Sequence, residues 1–146
     1  MATEDDGTLS AEERKALKER TAELRKQASR KGGNKKEKDL QDVVDTIAAL
    51  PEPDKQIAQM IHEVVTEVAP SLDPKTWYGF PAYARDGKVL VFYQQASKFD
   101  ARYGTLGFQD NASLDDGPMW PASFAIVEVT DAVRKQVGEL VKKAVG

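Results

Sequence analysis

Apolar positions along this chain follow two rhythms, and the change between them divides it. Leu40, Val43, Val44, Ile47 and Leu50 fall at i, i+3, i+4, i+7 and i+10, which is one stripe along a helix. Pro51 stops that helix. Pro53 suits the first turn of the next one, where its missing N–H is not needed. Ile57, Met60, Ile61, Val64 and Val68 repeat the helical spacing as far as Pro70. The short Pro-Glu-Pro connection makes the two helices neighbours in space. Beyond Pro70 the period shortens. "GFPAYARDGKVLVFYQ" holds two strand-like runs, about Phe80–Arg85 and Lys88–Gln94, joined by Asp86-Gly87. An Asp-Gly pair between apolar runs predicts a tight hairpin, because both residues tolerate positive φ. Pro81 makes the first run an edge or bulged strand. The second run is apolar on both faces. Residues 101–108 and 123–129 read as a third and a fourth strand, separated by the polar loop "QDNASLDDGPMWP". Gly104 and Gly107, inside the third, mark a twist or close backbone approach. Thr130 caps a last helix carrying Val133, Val137, Leu140, Val141 and Ala144.

The segment before Asp39 differs. Residues 1–8 are polar and acidic and read as disordered. Ser10–Arg30 reads as a helix, with Ser10 and Glu13 at capping-box spacing but only Leu17 and Leu24, helped by Ala16 and Ala28, as an apolar face. "KGGNKKEK", 31–38, reads as a flexible basic linker. The expected organisation is therefore a basic helical arm, 1–38, followed by a domain, 39–146. Helices, then an antiparallel meander, then a helix predict an α+β fold of two layers. Its sheet has about four strands, packed with two helices that precede it and one that follows.

Composition narrows the chemistry. The 146 residues contain no cysteine, which removes disulfides, thiolate metal sites and cysteine nucleophiles. No apolar run reaches the roughly 18 residues of a membrane span, and the first residues lack a signal-peptide core. The expectation is a soluble, cytoplasmic protein without a membrane partner. The net charge is −3, unevenly spread. Arg14–Lys38 carries eleven Lys and Arg against three acids, while Asp39–Gly146 carries ten against sixteen. Nucleic-acid contact is expected only through the basic arm, if at all.

No triad, two-histidine zinc motif, phosphate loop or dinucleotide fingerprint is present. The single histidine, His62, reads as a surface residue. Asp39, Asp42 and Asp45, followed by Glu52 and Asp54, form a carboxylate ridge that could hold a hard cation through oxygens, or be a solvated acidic face. The aromatics crowd into Trp77–Trp120. Most are core by the usual burial of such rings. Trp77, Tyr78, Tyr83, Tyr103 and Trp120 are the candidates for a cleft, since aromatic walls with polar tips make small-molecule pockets. Phe80 and Ala82 are expected to face the core.

"LDPKTWYGFPAYARDGKVLVFYQQASKF", followed by "YGTLGF", resembles the YdhG-like family of bacterial domains. The signature is Tyr78, Gly79, Phe80, Pro81, Ala82 and Tyr83, and the resemblance covers about Asp39 to Val145. It implies a frataxin-like fold, with helices on one antiparallel sheet. For some members it also implies an intracellular iron chaperone that binds iron on an acidic helix surface, here Asp39, Asp42, Asp45, Glu52 and Asp54. Two readings follow. One is a non-enzymatic domain, without a cofactor, binding a small molecule or protein partner at the aromatic cleft. The other is an iron-binding chaperone. An enzyme of unrecognised type is a third class that the residues leave open.

Overall fold

The computed structural model describes residues 9–30 and 32–146. The expectation of disorder at 1–8 lies outside the described residues. Among the described residues four helices, α1 (Ala11–Ala28), α2 (Gly32–Ala48), α3 (Asp54–Val68) and α4 (Asp131–Val145), accompany a sheet of five strands. The strands are β1 (Asp73–Trp77), β2 (Phe80–Arg85), β3 (Lys88–Gln94), β4 (Gly104–Phe108) and β5 (Ser123–Ile126). They form an antiparallel meander in sequence order. The fold is α+β, as the change of rhythm predicts, with one strand more than expected. The extra strand is β1. Its sequence, Asp-Pro-Lys-Thr-Trp, lacks an apolar alternation and carries a proline, so it reads as a loop although it pairs along its whole length with β2.

Two tight turns set the register. Asp86 and Gly87 have φ of 52° and 81°, and Arg85 opposes Lys88. Tyr78 and Gly79 repeat this geometry at 55° and 81°, with Trp77 opposite Phe80. Two consecutive positive φ values are the turn whose twist matches the flanking strands. The Tyr-Gly of the family-like signature is thus a hairpin turn. A register shift between Tyr83 and Ala84 aligns Val91 with Tyr83 but Val89 with Ala84, leaving Leu90 as the extra residue of a bulge.

One face of the sheet is sealed by helices. Tyr83, Leu90, Val91, Tyr93, Leu106, Phe108 and Ile126 join Val43 and Ile47 of α2, Ile57, Met60, Ile61, Val64 and Val65 of α3, and Val137 and Val141 of α4 in a single core. The other face carries Lys75, Trp77, Phe80, Ala82, Phe92 and Gly107, which the strand register places side by side. Phe80 and Ala82 are buried as expected, but on this second face and not in the helix-covered core.

Two expected features of the helices change. The α2 stripe is only half used: Val43 and Ile47 are sealed, while Leu40 and Val44 are exposed. This helix rests against β1 and β2, so only the residues aimed at the sheet are covered. The stretch 31–38, expected as a linker, is helical from Gly32, as the first turns of α2. Lys35 pairs with Asp39 one helical turn on, and Lys36 lies 3.8 Å from Asp73. The capping predictions hold: Ser10 and Glu13 form a reciprocal capping box on α1, and Thr130 caps α4 through the N–H of Val133.

Candidate functional site

The site begins at the Tyr78-Gly79 turn. A left-handed backbone at tyrosine is uncommon, and a second interaction supports it here. The N–H groups of Tyr78 and Gly79 both donate to the Glu23 carboxylate of α1, each at 2.8 Å. Successive amides in such a turn form a concave anion receptor, and charge-assisted bonds to it are strong. Further polar contacts fix α1. Gln27 donates to the Thr76 carbonyl at 3.2 Å, and Lys98 pairs with Glu19. Arg30, just past α1, bridges Asp39 at 2.5 Å and Asp42 at 2.8 Å on α2. The basic arm is therefore docked on the domain, although its apolar face is as thin as the sequence shows: Leu17 and Leu24 stay exposed.

Docking brings Arg20 of α1 to the aromatic face. Its guanidinium carbon lies 5.6 Å from the centre of the Tyr78 ring. Tyr78 meets Trp77 edge-on at 5.0 Å, and Trp77 tilts against Phe92 at 5.3 Å. Phe92 overlies Phe80 at 6.1 Å, and Phe99 closes the far side of Phe80 at 5.9 Å. Gly107 makes room for this cluster, because a Cβ there would sit 2.3 Å from the Phe92 ring. Beside the cluster is a hollow of about 320 Å³ lined by Arg20, Lys75, Trp77, Gly87, Lys88, Val89, Gln109 and Asp110. Lys75 is half-buried, and burial lowers its ammonium pKa, with Arg20 and Lys35 adding to the effect against the pull of Asp39 and Glu23.

Of the expected cleft residues, only Trp77 and Tyr78 come together. Tyr83 belongs to the sealed core, fully buried, with its hydroxyl 2.9 Å from Nδ1 of His62. Trp120 packs against the helix-side core and Tyr103 stands exposed before β4 beneath Arg102. The alternation of faces along β2 separates Tyr83 from Trp77, and sequence distance alone does not show this. His62 is half-buried where a surface residue was expected; burial lowers its pKa, and Glu63 only partly opposes this. Burial also pushes the Tyr83 phenol upward, so it stays protonated and can donate to the neutral imidazole.

The carboxylate ridge is largely engaged by the protein itself. Asp39 and Asp42 are held by Arg30, with Lys35 also on Asp39 and Lys26 near Asp42 at 3.8 Å. Asp45 accepts from Gln41, and Glu52 from the N–H of Gln56. Asp54 is buried and accepts from the Tyr93 hydroxyl at 2.8 Å and from the N–H groups of Ala96 and Ser97 at 2.9 and 3.0 Å. Burial raises its pKa, but the bonds from Ser97, Ala96 and Tyr93 outweigh that and leave it below the ordinary value. The five carboxylates do not converge on one point, and among the described residues no three acidic or imidazole side chains form a set able to hold a metal ion.

Two other concavities differ in character. A groove of about 800 Å³ separates α1 from α2, and its charges are largely paired within the chain, Lys26 with Asp42 and Lys98 with Glu19. An apolar groove of about 540 Å³ runs between β5 and α4. Among the described residues no helix is long and apolar enough to cross a membrane. Compared with known proteins, the chain matches no family model, no curated protein and no solved structure. Function is therefore argued from the site itself. Arg20 is the member that sequence reasoning misses. It lies 55 residues before Lys75 on a helix that looks peripheral, and no local pattern in α1 singles it out.

Proposed function

We propose that this chain is a binding domain that receives its ligand on the outer face of the sheet, against Trp77. One observation carries the reading. Trp77 is half-buried on the face that α2, α3 and α4 leave uncovered, and it walls a hollow of about 320 Å³. That volume is at the small end of the range for ligand pockets, about 300 to 1,000 Å³. The hollow has an aromatic wall, an aliphatic one in Val89 and a few polar groups, which is the usual composition of such sites.

Of the groups with a shifted pKa, Lys75 alone lines the hollow, which fits binding of a charged group. Asp54 and the His62–Tyr83 pair are on the opposite side of the sheet, and their polar atoms serve structural bonds. Cytoplasmic residence accords with the absence of cysteine, and the ligand in this reading is a small molecule or a short exposed segment of a partner.

The test is a screen of small metabolites by amide chemical shifts and tryptophan fluorescence, with Trp77→Leu beside the native chain. Ligands of this site shift the amides of Lys75, Trp77 and Val89, and lose at least about tenfold in affinity in the variant, the scale of one lost aromatic contact of about 1.4 kcal/mol. If every ligand found leaves those amides unmoved, the outer face is not the site.

A further inference from the structure

We infer that the ligand of the Trp77 hollow is a planar anion whose ring lies along Trp77 and whose negative group sits between Arg20 and Lys75. The inference rests on the reading of that hollow as a binding site. Its own support is a charge imbalance. Arg20 and Lys75 come from different elements, α1 and β1, yet both wall the same small hollow. Lys75 has no hydrogen-bond or ion-pair partner among the described residues. Nη1 of Arg20 is buried without a hydrogen bond. The nearest acid to Arg20, Glu23, lies 3.7 Å away with both oxygens already occupied by the Tyr78 and Gly79 amides. Two cations brought together under partial cover destabilise each other, and Nη1 of Arg20 lacks the hydrogen bond it would have in water. Glu23 and Asp39 offset part of this repulsion, and a bound anion between the two cations would offset the rest. The lowered pKa of Lys75 reports the same conflict, from burial first and then from Arg20.

The neighbouring groups narrow the ligand further. Trp77 offers a ring face, Val89 an aliphatic wall and Gln109 a hydrogen-bonding amide. Asp110, which also lines the hollow, disfavours a ligand with negative charge at both ends. The volume suits one ring or a fused pair carrying a single carboxylate or phosphate. The guanidinium of Arg20 matches either oxyanion in two-point geometry, with Lys75 as a point charge. Arg20 also makes the site depend on α1: a bound anion would bridge that helix to the sheet.

The experiment uses the full chain and five probes: indole-3-carboxylate, phenyl phosphate, the neutral indole-3-carboxamide, and the ring-free anions acetate and inorganic phosphate. Amide shifts at Arg20, Lys75 and Trp77 give the affinities. The expected result is that one ring-bearing anion binds about tenfold or more tighter than the carboxamide and than its ring-free counterpart. Arg20→Gln and Lys75→Met each abolish most of that preference, Lys75→Met keeping the aliphatic stem over the sheet. The tighter of the carboxylate and the phosphate names the head group. Binding should also slow amide exchange along α1. If the carboxamide binds as well as the anions, or the two variants leave the ratio unchanged, the charge inference falls while the aromatic site stands. If acetate or phosphate alone binds as tightly, the planar requirement falls. If no probe moves Trp77, both readings fall together.

Discussion

Tyr93 and Gly104 act as one unit divided between adjacent strands. A Cβ at Gly104 would lie 2.0 Å from the Tyr93 hydroxyl oxygen, and that hydroxyl donates to buried Asp54. Gly104→Ala therefore displaces the phenol and costs Asp54 a donor. Overpacking and the lost bond together should destabilise by about 2–4 kcal/mol, read from denaturant unfolding. Asp54 itself has a pKa below its ordinary value when folded. A depressed carboxylate contributes stability that is full above the unfolded value of about 3.9 and is lost as pH falls through the folded value. Asp54→Asn should lower stability at neutral pH by about 1–3 kcal/mol and flatten the decline below about pH 4. The sign for His62 runs toward acid as well. Its folded pKa is lowered, so stability is full above the unfolded value of about 6.5 and falls as pH drops through the folded one. His62→Gln should flatten thermal stability between about pH 7 and 5, and a variant as steep as the native chain would show that the imidazole does not carry this dependence.

At the scale of elements, α1 is held by polar contacts where most helices use an apolar face. Of its 18 residues only Ala16, Glu23 and Gln27 are buried. Glu23→Gln keeps the shape but removes the charge from both bonds to the Tyr78-Gly79 turn. The expectation is a loss of about 1–3 kcal/mol, with faster amide exchange in α1 and in that turn but not in α3. Uniform acceleration in all helices would instead mean that α1 is integral to the core. Much of the rest was legible. The stripes of α3 and α4, the capping box at Ser10, the Thr130 cap, the Asp86-Gly87 hairpin and the close approaches at the strand glycines follow from local rules of spacing and turn chemistry. What escaped depends on contacts distant in sequence. Strand β1 lacks alternation and is made a strand by pairing with β2. The first turns of α2 contain two glycines and were read as a linker, yet Arg30 and Lys35 tie this region to Asp39. In the site, Trp77 and Tyr78 are legible as cleft candidates, while the Tyr78-Gly79 turn is not. Tyr83 was misplaced because a cleft reading ignores the inward and outward alternation of a strand, and Arg20 could not be found without knowing how α1 docks.

For the molecule as a whole, the sheet separates two tasks by face. The inner face carries the fully buried Val91, Tyr93 and Leu106 beneath three helices, so stability is concentrated there. The outer face carries half-buried Trp77 and Lys75, with cover only from neighbouring rings and α1. Truncation on the two faces should therefore have different consequences. Leu106→Ala removes a fully buried side chain and should cost about 2–5 kcal/mol. At about 2–4 °C per kcal/mol for a chain of this size, that lowers Tm by roughly 4–20 °C. Trp77→Phe keeps a ring against Phe92 and should shift Tm by less than about 3 °C, while weakening whatever binds in the hollow. The same pair read by ligand titration should reverse in rank: Leu106→Ala, where still folded, binds almost as the native chain does, and Trp77→Phe does not. Equal losses of stability from both would mean that the outer aromatics are structural core, and that their partial exposure is incidental to function.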